Sequence, residues 1–303
     1  MRVADLMEST TLKAMLAVLL AAFLFSGMFA LPKGSDIALP WFQIVFIRYL
    51  GGLIFLLPAA IRWKAQGNTL KSDFGLLHIG RSIAGIGSVA CVVIAASQIA
   101  LVDVVTISFS KGAIVLILAG IILGERVLPR HWLAVVLSIL GAIIVAYGSR
   151  GEAGSNLFHP ASLIALLAAC CMAAEVIVIK FVSEREAIPV TLLYVNSLAS
   201  LLLAIPTLIW GQWGDLASWW PVLLMGPIAI LGQSLNLFAF RKVDVVLLTP
   251  LTYSSIVFSA IIGFVIFGES LSWTTTAGAG VIILGCLIGM GLRKRKLIIN
   301  PQN

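Results

Sequence analysis

Runs of about twenty mostly apolar residues recur along nearly the whole chain. A run of that length is what an α-helix needs to cross the ~30 Å hydrocarbon core of a bilayer. Ten segments qualify: 12–32, 39–61, 75–97, 101–123, 131–148, 159–181, 188–210, 219–240, 243–267 and 273–292. With no water in the bilayer core, each segment must satisfy its own backbone N–H and C=O groups, so the runs are predicted as helices. The connections between them are short and leave no stretch for a soluble domain. Composition agrees: 60% of residues are hydrophobic and 11% charged, against about 25% charged in a soluble domain. The expected fold class is an all-α integral membrane protein. The first run lacks an A-x-A cleavage site and is expected to be a retained helix, not a signal peptide.

The positive charges orient the spans. With the N-terminus in the cytoplasm, the inner segments hold Arg2, Lys13, Arg62, Lys64, Lys71, Arg126, Arg130, Lys180, Arg185, Arg241, Lys242 and the terminal "RKRK" of 293–296. The outer segments hold only Lys33 and Arg150. This asymmetry is the positive-inside pattern, and it predicts cytoplasmic N- and C-termini with an even number of spans. It also explains the net charge of +7 without nucleic acid, and it makes the basic tail a topology anchor beside anionic lipid.

An internal repeat divides the chain. "VDVVTISFSKGAIVLILAGIILGE" (102–125) and "VDVVLLTPLTYSSIVFSAIIGFVIFGE" (243–269) open and close alike, and setting the "GE" pairs together also aligns Gly141 with Gly285. Weaker matches pair "LLAA" at 19–22 with "LLAA" at 166–169, Lys33 with Lys180, and Pro58 with Pro206. Each unit holds five spans, an odd number, so the second is expected to enter from the opposite side. Inverted repeats of this kind are typical of secondary transporters, whose substrates bind near the midplane where the halves meet. The expected organisation is a first repeat over 12–150, a second over 158–292, and a basic cytoplasmic tail over 293–303.

The stretch "AASQIALVDVVTISFSKGAIVLILAGIILGERVLPRHWLAVVLSILGAIIV" resembles the end of the first repeat in the EamA family of the drug/metabolite transporter superfamily, where a "GER" closes the fourth helix. "GQSLNLFAFRKVDVVLLTPLTYSSIVFSAIIGFVIFGESLSWTTTAGAGVIILG" resembles the second, with Pro250, Tyr253, Phe267, Gly268 and Glu269 in the family's order. Arg48 in "FIRYL" and Arg81 in "GRSIAG" match arginines usual in the second and third helices. The resemblance covers roughly 12–292. It implies ten helices in two inverted bundles around a central cavity, moving small organic metabolites, often outward, across the bacterial inner membrane. Substrates across the family include amino acids, nucleosides, adenosylmethionine, riboflavin and metal-chelating small molecules. One departure stands out. The family usually has proline in the fourth helix about where Gly112 stands, and Lys111 beside it is not part of the family pattern.

Ionised side chains inside spans cost roughly 2.5–3.5 kcal/mol at a helix centre on insertion scales, and they mark functional sites by default. Lys111 lies nine residues past Val102, or ~13 Å at 1.5 Å per residue, and is predicted near the midplane. Its expected role is binding an anionic substrate group, with a structural ion pair as the alternative. Arg48 is divided between architecture and substrate contact, and Arg81, two turns from the cytoplasmic end, leans toward architecture. Glu175 is the one acid well inside a span. It is expected to pair with a cation, or to carry a coupling proton. Asn196, Gln233, Asn236, Thr252 and Tyr253 are neutral candidates for the pathway, with Thr249 and Ser255. Asp103 and Asp244 are expected to cap helix starts, and Glu125 and Glu269, after helix-end glycines, are read as structural. Small residues at helical spacing, such as Ala22 and Ser26, are expected packing seams. Trp41, Trp132, Trp219 and Trp220 are expected in interfacial belts.

The expected function is a secondary transporter working by alternating access, exporting a small organic metabolite with an anionic or zwitterionic group. An uptake or exchange carrier of the same fold is the alternative. Coupling to protons or a counter-substrate belongs to either. An intramembrane enzyme is disfavoured, since HExxH, GxSxG and paired-Asp motifs are missing, and a non-transporting sensor would need an output domain. The four cysteines form no CxxC pair and no His has metal-ligand spacing. No cofactor or metal is expected, and the expected partners are the metabolite and membrane lipid.

Overall fold

The computed structural model of the chain describes residues 3–31, 39–96, 107–148, 160–213, 219–267 and 273–290, and among them the regular secondary structure is helical. The first half contributes α1 (Val3–Ala30), α2 (Trp41–Ala65), α3 (Gly75–Ala96), α4 (Lys111–Leu118) with a π-helical continuation at Ala119–Leu123, and α5 (Pro129–Gly148). The second contributes α6 (Ala161–Ser183), α7 (Ile188–Trp210), α8 (Trp220–Lys242), α9 (Val245–Thr252), α10 (Ser254–Phe267) and α11 (Trp273–Met290). Among the described residues, seven helical stretches are long and apolar enough to cross a membrane, with α9 and α10 counted as one; the apolar helices within 111–123, 129–144 and 276–288 are shorter. Local chemistry sets the ends. Pro40, in an extended conformation, precedes α2, prolines occupy the first turns of α7 and α8, and basic residues close α2 and α8, where they suit the helix dipole.

Large apolar side chains face outward. Leu201, Leu208, Ile209 and Val265 are exposed, whereas Ala165, Ala168, Ala169, Ala173 and Ala199 are buried. Lipid tails are as apolar as leucine, so nothing drives leucine inward, and small residues let helices approach closely. The tryptophans divide: Trp132 and Trp220 are exposed as an interfacial belt requires, but Trp219 is buried and packs on Trp213 with ring centroids 6.0 Å apart.

The two halves interleave. α1 packs on α8, α3 on α6, α2 on α7 and α5 on α11. Under the "GE" pairing α1 corresponds to α6, α2 to α7, α3 to α8 and α5 to α11. Each contact therefore maps onto another of the set or onto itself. The α5–α11 crossing shows its direction. A Cβ at Gly141 would lie 2.7 Å from the Gly278 carbonyl oxygen, and one at Gly285 would lie 2.9 Å from the Ala134 carbonyl oxygen. Late residues of each helix face early residues of the other, so α5 and α11 run antiparallel, and only glycine fits at either crossing point.

Two predicted helices are broken. The apolar runs 101–123 and 243–267 read as continuous, but a turn at Phe109–Ser110 precedes α4 and a turn at Tyr253 separates α9 from α10. Phe109 and Tyr253 are equivalent under the "GE" pairing. In the second half Pro250 removes a backbone donor and crowds the preceding turn. In the first, the Tyr253 side chain is the wedge: its hydroxyl donates to the Phe109 carbonyl at 2.5 Å, and a side chain inserted into the ladder is a known cause of kinking. Residues 101–106 of the first run lie outside the described residues.

Candidate functional site

The buried charges predicted from the sequence come together. Arg81 on α3 is fully buried. Its Nη2 donates to Gln233 Oε1 on α8 at 3.2 Å, and its Nε lies 3.8 Å from Glu175 Oε1 on α6. Nε and Nη1 of Arg81 make no hydrogen bond among the described residues. Tyr49, buried on α2, brings its hydroxyl to the same place: a Cβ at Gly85 would lie 2.8 Å from that oxygen and 3.8 Å from each Glu175 oxygen. Arg48 stacks over the Tyr49 ring at 4.7 Å and is close enough to Arg81 to act on it electrostatically. Glu175 acts on Lys111 in the same way. Asn236, one turn beyond Gln233, has a buried Oδ1 without a hydrogen-bond partner among the described residues.

Lys111 is the first residue of α4 and is half-buried. Among the described residues its ammonium has no ion pair; it lies over the Phe109 ring, 5.9 Å from the centroid. Among the described residues the cluster thus holds three formal positive charges against one carboxylate. Its guanidinium donors are partly unspent, beside two broken spans that touch. Such an arrangement suits an anionic group, which would satisfy donors that the protein leaves open.

The remaining predicted residues lie elsewhere or spend their polar groups locally. Asn196 is buried, donates to its own helix at Leu192 O (2.7 Å), and sets its Oδ1 against Gly52. Thr252 donates to Thr249 O at 2.8 Å, and Thr249 to Val245 O at 2.8 Å. Tyr253 is fully buried at the junction of the broken spans, with its ring 5.0 Å from that of Phe109. Gly112 accommodates it: a Cβ there would lie 2.0 Å from the Tyr253 oxygen. Ser255, the counterpart of Lys111, offers its backbone carbonyl to Ser26 Oγ at 2.9 Å.

The capping prediction for Asp244 needs correction. Asp244 occupies the N-cap position of α9 but makes no side-chain capping bond. The two free amides are taken by Glu125, from the other half of the chain. Asp103 and Glu269 lie outside the described residues.

Sequence reasoning missed a polar network at the end of the molecule where α2–α3, α4–α5, α6–α7 and α8–α9 connect. His78 Nε2 lies 2.8 Å from Glu186 Oε2 and 3.1 Å from Ser72 Oγ, and its ring stacks on Tyr194. Lys180, counted above as a loop charge, is buried and donates to Phe240 O at 2.8 Å and Val243 O at 3.2 Å, closing the end of α8. Arg241 donates to the Ser183 and Glu186 carbonyls. The one available signal was the unusual density of charge in these short connections.

The model of the EamA-like transporter family matches residues 12–147 and 159–290, one copy in each half. The chain belongs to the EamA-like transporter family. Among similar proteins is the pseudopaline exporter CntI of Pseudomonas aeruginosa, 29% identical over 94% of this chain and 97% of its own length. The S-adenosylmethionine uptake transporter of Rickettsia prowazekii is 24% identical over 84% of this chain and 85% of its own. The riboflavin transporter of Brucella anthropi is 24% identical over 82% and 88%. A solved crystal structure shares the fold, with a TM-score of 0.78 and 19% identity over 94% of this chain and 99% of that one. This EamA-like protein is therefore a multi-pass membrane protein whose relatives carry small molecules.

Proposed function

We propose that this EamA-like protein is a secondary transporter that exports a small organic metabolite bearing an anionic or zwitterionic group, by alternating access. The observation that carries the reading is the excess of buried and half-buried positive charge beside two touching, repeat-related helix breaks. Discontinuous helices at a repeat interface are where secondary transporters hold substrate. Ten spans in two inverted repeats, over 12–150 and 158–292, supply the frame. The antiparallel α5–α11 crossing and the interchange of contacts between halves support that inversion. The lysine and arginine asymmetry supports cytoplasmic termini, including a basic tail over 293–303, in the bacterial inner membrane. Export follows the exporter that spans 97% of its own length in the match. The relative named as an uptake transporter favours import as the second reading. Lys111, Arg48 and Arg81 are assigned to the anionic group, with Gln233 and Asn236 beside them. Glu175 is assigned to charge balance or to a coupling proton.

The test is transport in proteoliposomes with a panel of carboxylate-bearing and zwitterionic metabolites, S-adenosylmethionine and riboflavin included. Lys111→Ala is expected to lower apparent affinity for the transported compound by roughly tenfold or more, as loss of a charge-assisted contact does, at unchanged folded yield. Equal transport by the variant removes Lys111 from the site. No transport of any compound by folded wild-type protein defeats the transporter reading.

A further inference from the structure

Glu125 stands outside the polar cluster, just past the end of the fourth span. It follows Gly124, whose φ of +68° is left-handed, a conformation glycine adopts without strain. That turn carries the chain out of the π-helical end and sends the Glu125 carboxylate across to the other half. Oε1 accepts the Val245 N–H at 3.0 Å and Oε2 accepts the Val246 N–H at 2.9 Å. These are the first amides of α9, the half-helix that ends at the Tyr253 break. The first half of the chain thereby satisfies the N-terminus of the second half's discontinuous helix, while Asp244, at the N-cap itself, contributes no side-chain bond. A second bridge between halves, His78 to Glu186, lies at the same end of the molecule. The far end of α9 is fixed differently: Cys286 on α11 is buried beneath it and bonds to the Pro250 carbonyl at 3.1 Å.

We infer that Glu125 is the positioning residue of a gate. It clamps α9 to the end of the fourth span and holds this end of the pathway shut; when the clamp releases, α9 swings at the Tyr253 break and uncovers the way to the polar cluster. The inference rests on the transporter reading above. Alternating access requires contacts between the halves at each end to form and break once per cycle. A carboxylate on two amides suits that duty. It is a strong, oriented bond when water is excluded, and water replaces it readily when the mouth opens. A short half-helix pinned at both ends is an element that can move as a unit.

Cys286 reports the motion without any ligand. Full-length protein in lipid nanodiscs carries Cys91→Ser, Cys170→Ser and Cys171→Ser, leaving Cys286 as the one thiol, and its reaction with N-ethylmaleimide is timed. A parallel background keeps the half-buried Cys91 alone, as a control for a general change in thiol access. Glu125→Ala is expected to speed Cys286 labelling on the order of tenfold or more, as local opening becomes easier, with Cys91 unchanged. Glu125→Gln keeps one carbonyl acceptor but sets its amide nitrogen against the second N–H, so it is expected to label faster than wild type and slower than Glu125→Ala. Val245→Pro removes one amide donor at a position where proline suits a helix start and follows an extended Asp244, so it is expected to fall between wild type and Glu125→Ala. It keeps the question answerable if Glu125→Ala fails to fold. Unchanged Cys286 labelling in Glu125→Ala, or equal acceleration at Cys91, overturns the gate and leaves Glu125 a plain cap. Neither result touches the transporter reading, which the proteoliposome assay decides separately.

Discussion

Glu125 and Arg81 show how little a single residue's identity says about its work. Arg81 is a guanidinium without solvent, kept by one glutamine bond and a distant carboxylate. Glu125 is a carboxylate placed on amides of another helix. Burial lifts the Glu125 carboxyl above the ordinary range; Asp244 pushes the same way, while the Val246 and Val245 amides and Lys180 pull it down. A carboxyl raised in the folded protein favours its protonated form there. Its stabilisation is complete below the unfolded value, about 4.3, and is lost as pH rises through the folded value. The melting temperature of wild type relative to Glu125→Gln is therefore expected to fall as pH climbs from about 4 through that raised value, then level off. Thermal melts of both proteins across this range check it, and a pH-independent difference contradicts it.

The broken spans are the elements on which the site depends. Residues 243–267 read as one helix by apolar length; the break falls at Tyr253, three residues past Pro250. The fourth span lacks the family's usual proline, yet it breaks at the equivalent place because Tyr253 reaches into it. Gly112 and Tyr253 are thus a matched pair. Gly112→Ala places a methyl against the tyrosine oxygen and ring. Overpacking of this kind typically costs about 1–3 kcal/mol, and a corresponding drop in melting temperature is expected. Adding Tyr253→Phe removes the oxygen but leaves the ring carbon 2.9 Å from the new methyl, so part of the loss returns and the two changes combine non-additively. Strict additivity in thermal melts would show that the two residues do not meet.

On the scale of the whole molecule, the interleaved halves make one body out of two similar units. α1 and α3 each pack on a helix of the other half, so neither half is expected to bury its polar residues alone. The charge asymmetry makes a separate statement, about direction. A fluorescent-protein fusion to the C-terminus is expected to be bright, as it is in the cytoplasm, and an alkaline phosphatase fusion at the same place inactive. The reverse pattern overturns the assigned orientation.

Properties written along one dimension were legible from the sequence alone: the apolar runs, the repeat, the loop charge, the family, and the types of residue that a membrane interior tolerates only for a reason. Lys111, Arg48, Arg81, Glu175 and Gln233 were all singled out on that ground, and the structure gathers them. Their pairing was not legible, because partners lie far apart in the chain. Arg81 and Gln233 are 152 residues apart, Phe109 and Tyr253 are 144 apart, and Glu125 reaches an amide 120 residues away. Hydropathy records how oily a segment is and is blind to which face meets which neighbour. For the same reason Glu125 read as structural without a partner, Lys180 read as a loop charge, and His78 was not singled out. Only the packing of the helices, between the halves for Glu125 and His78 and within the second half for Lys180, sets them on backbone groups and a carboxylate that would otherwise be left unpaired.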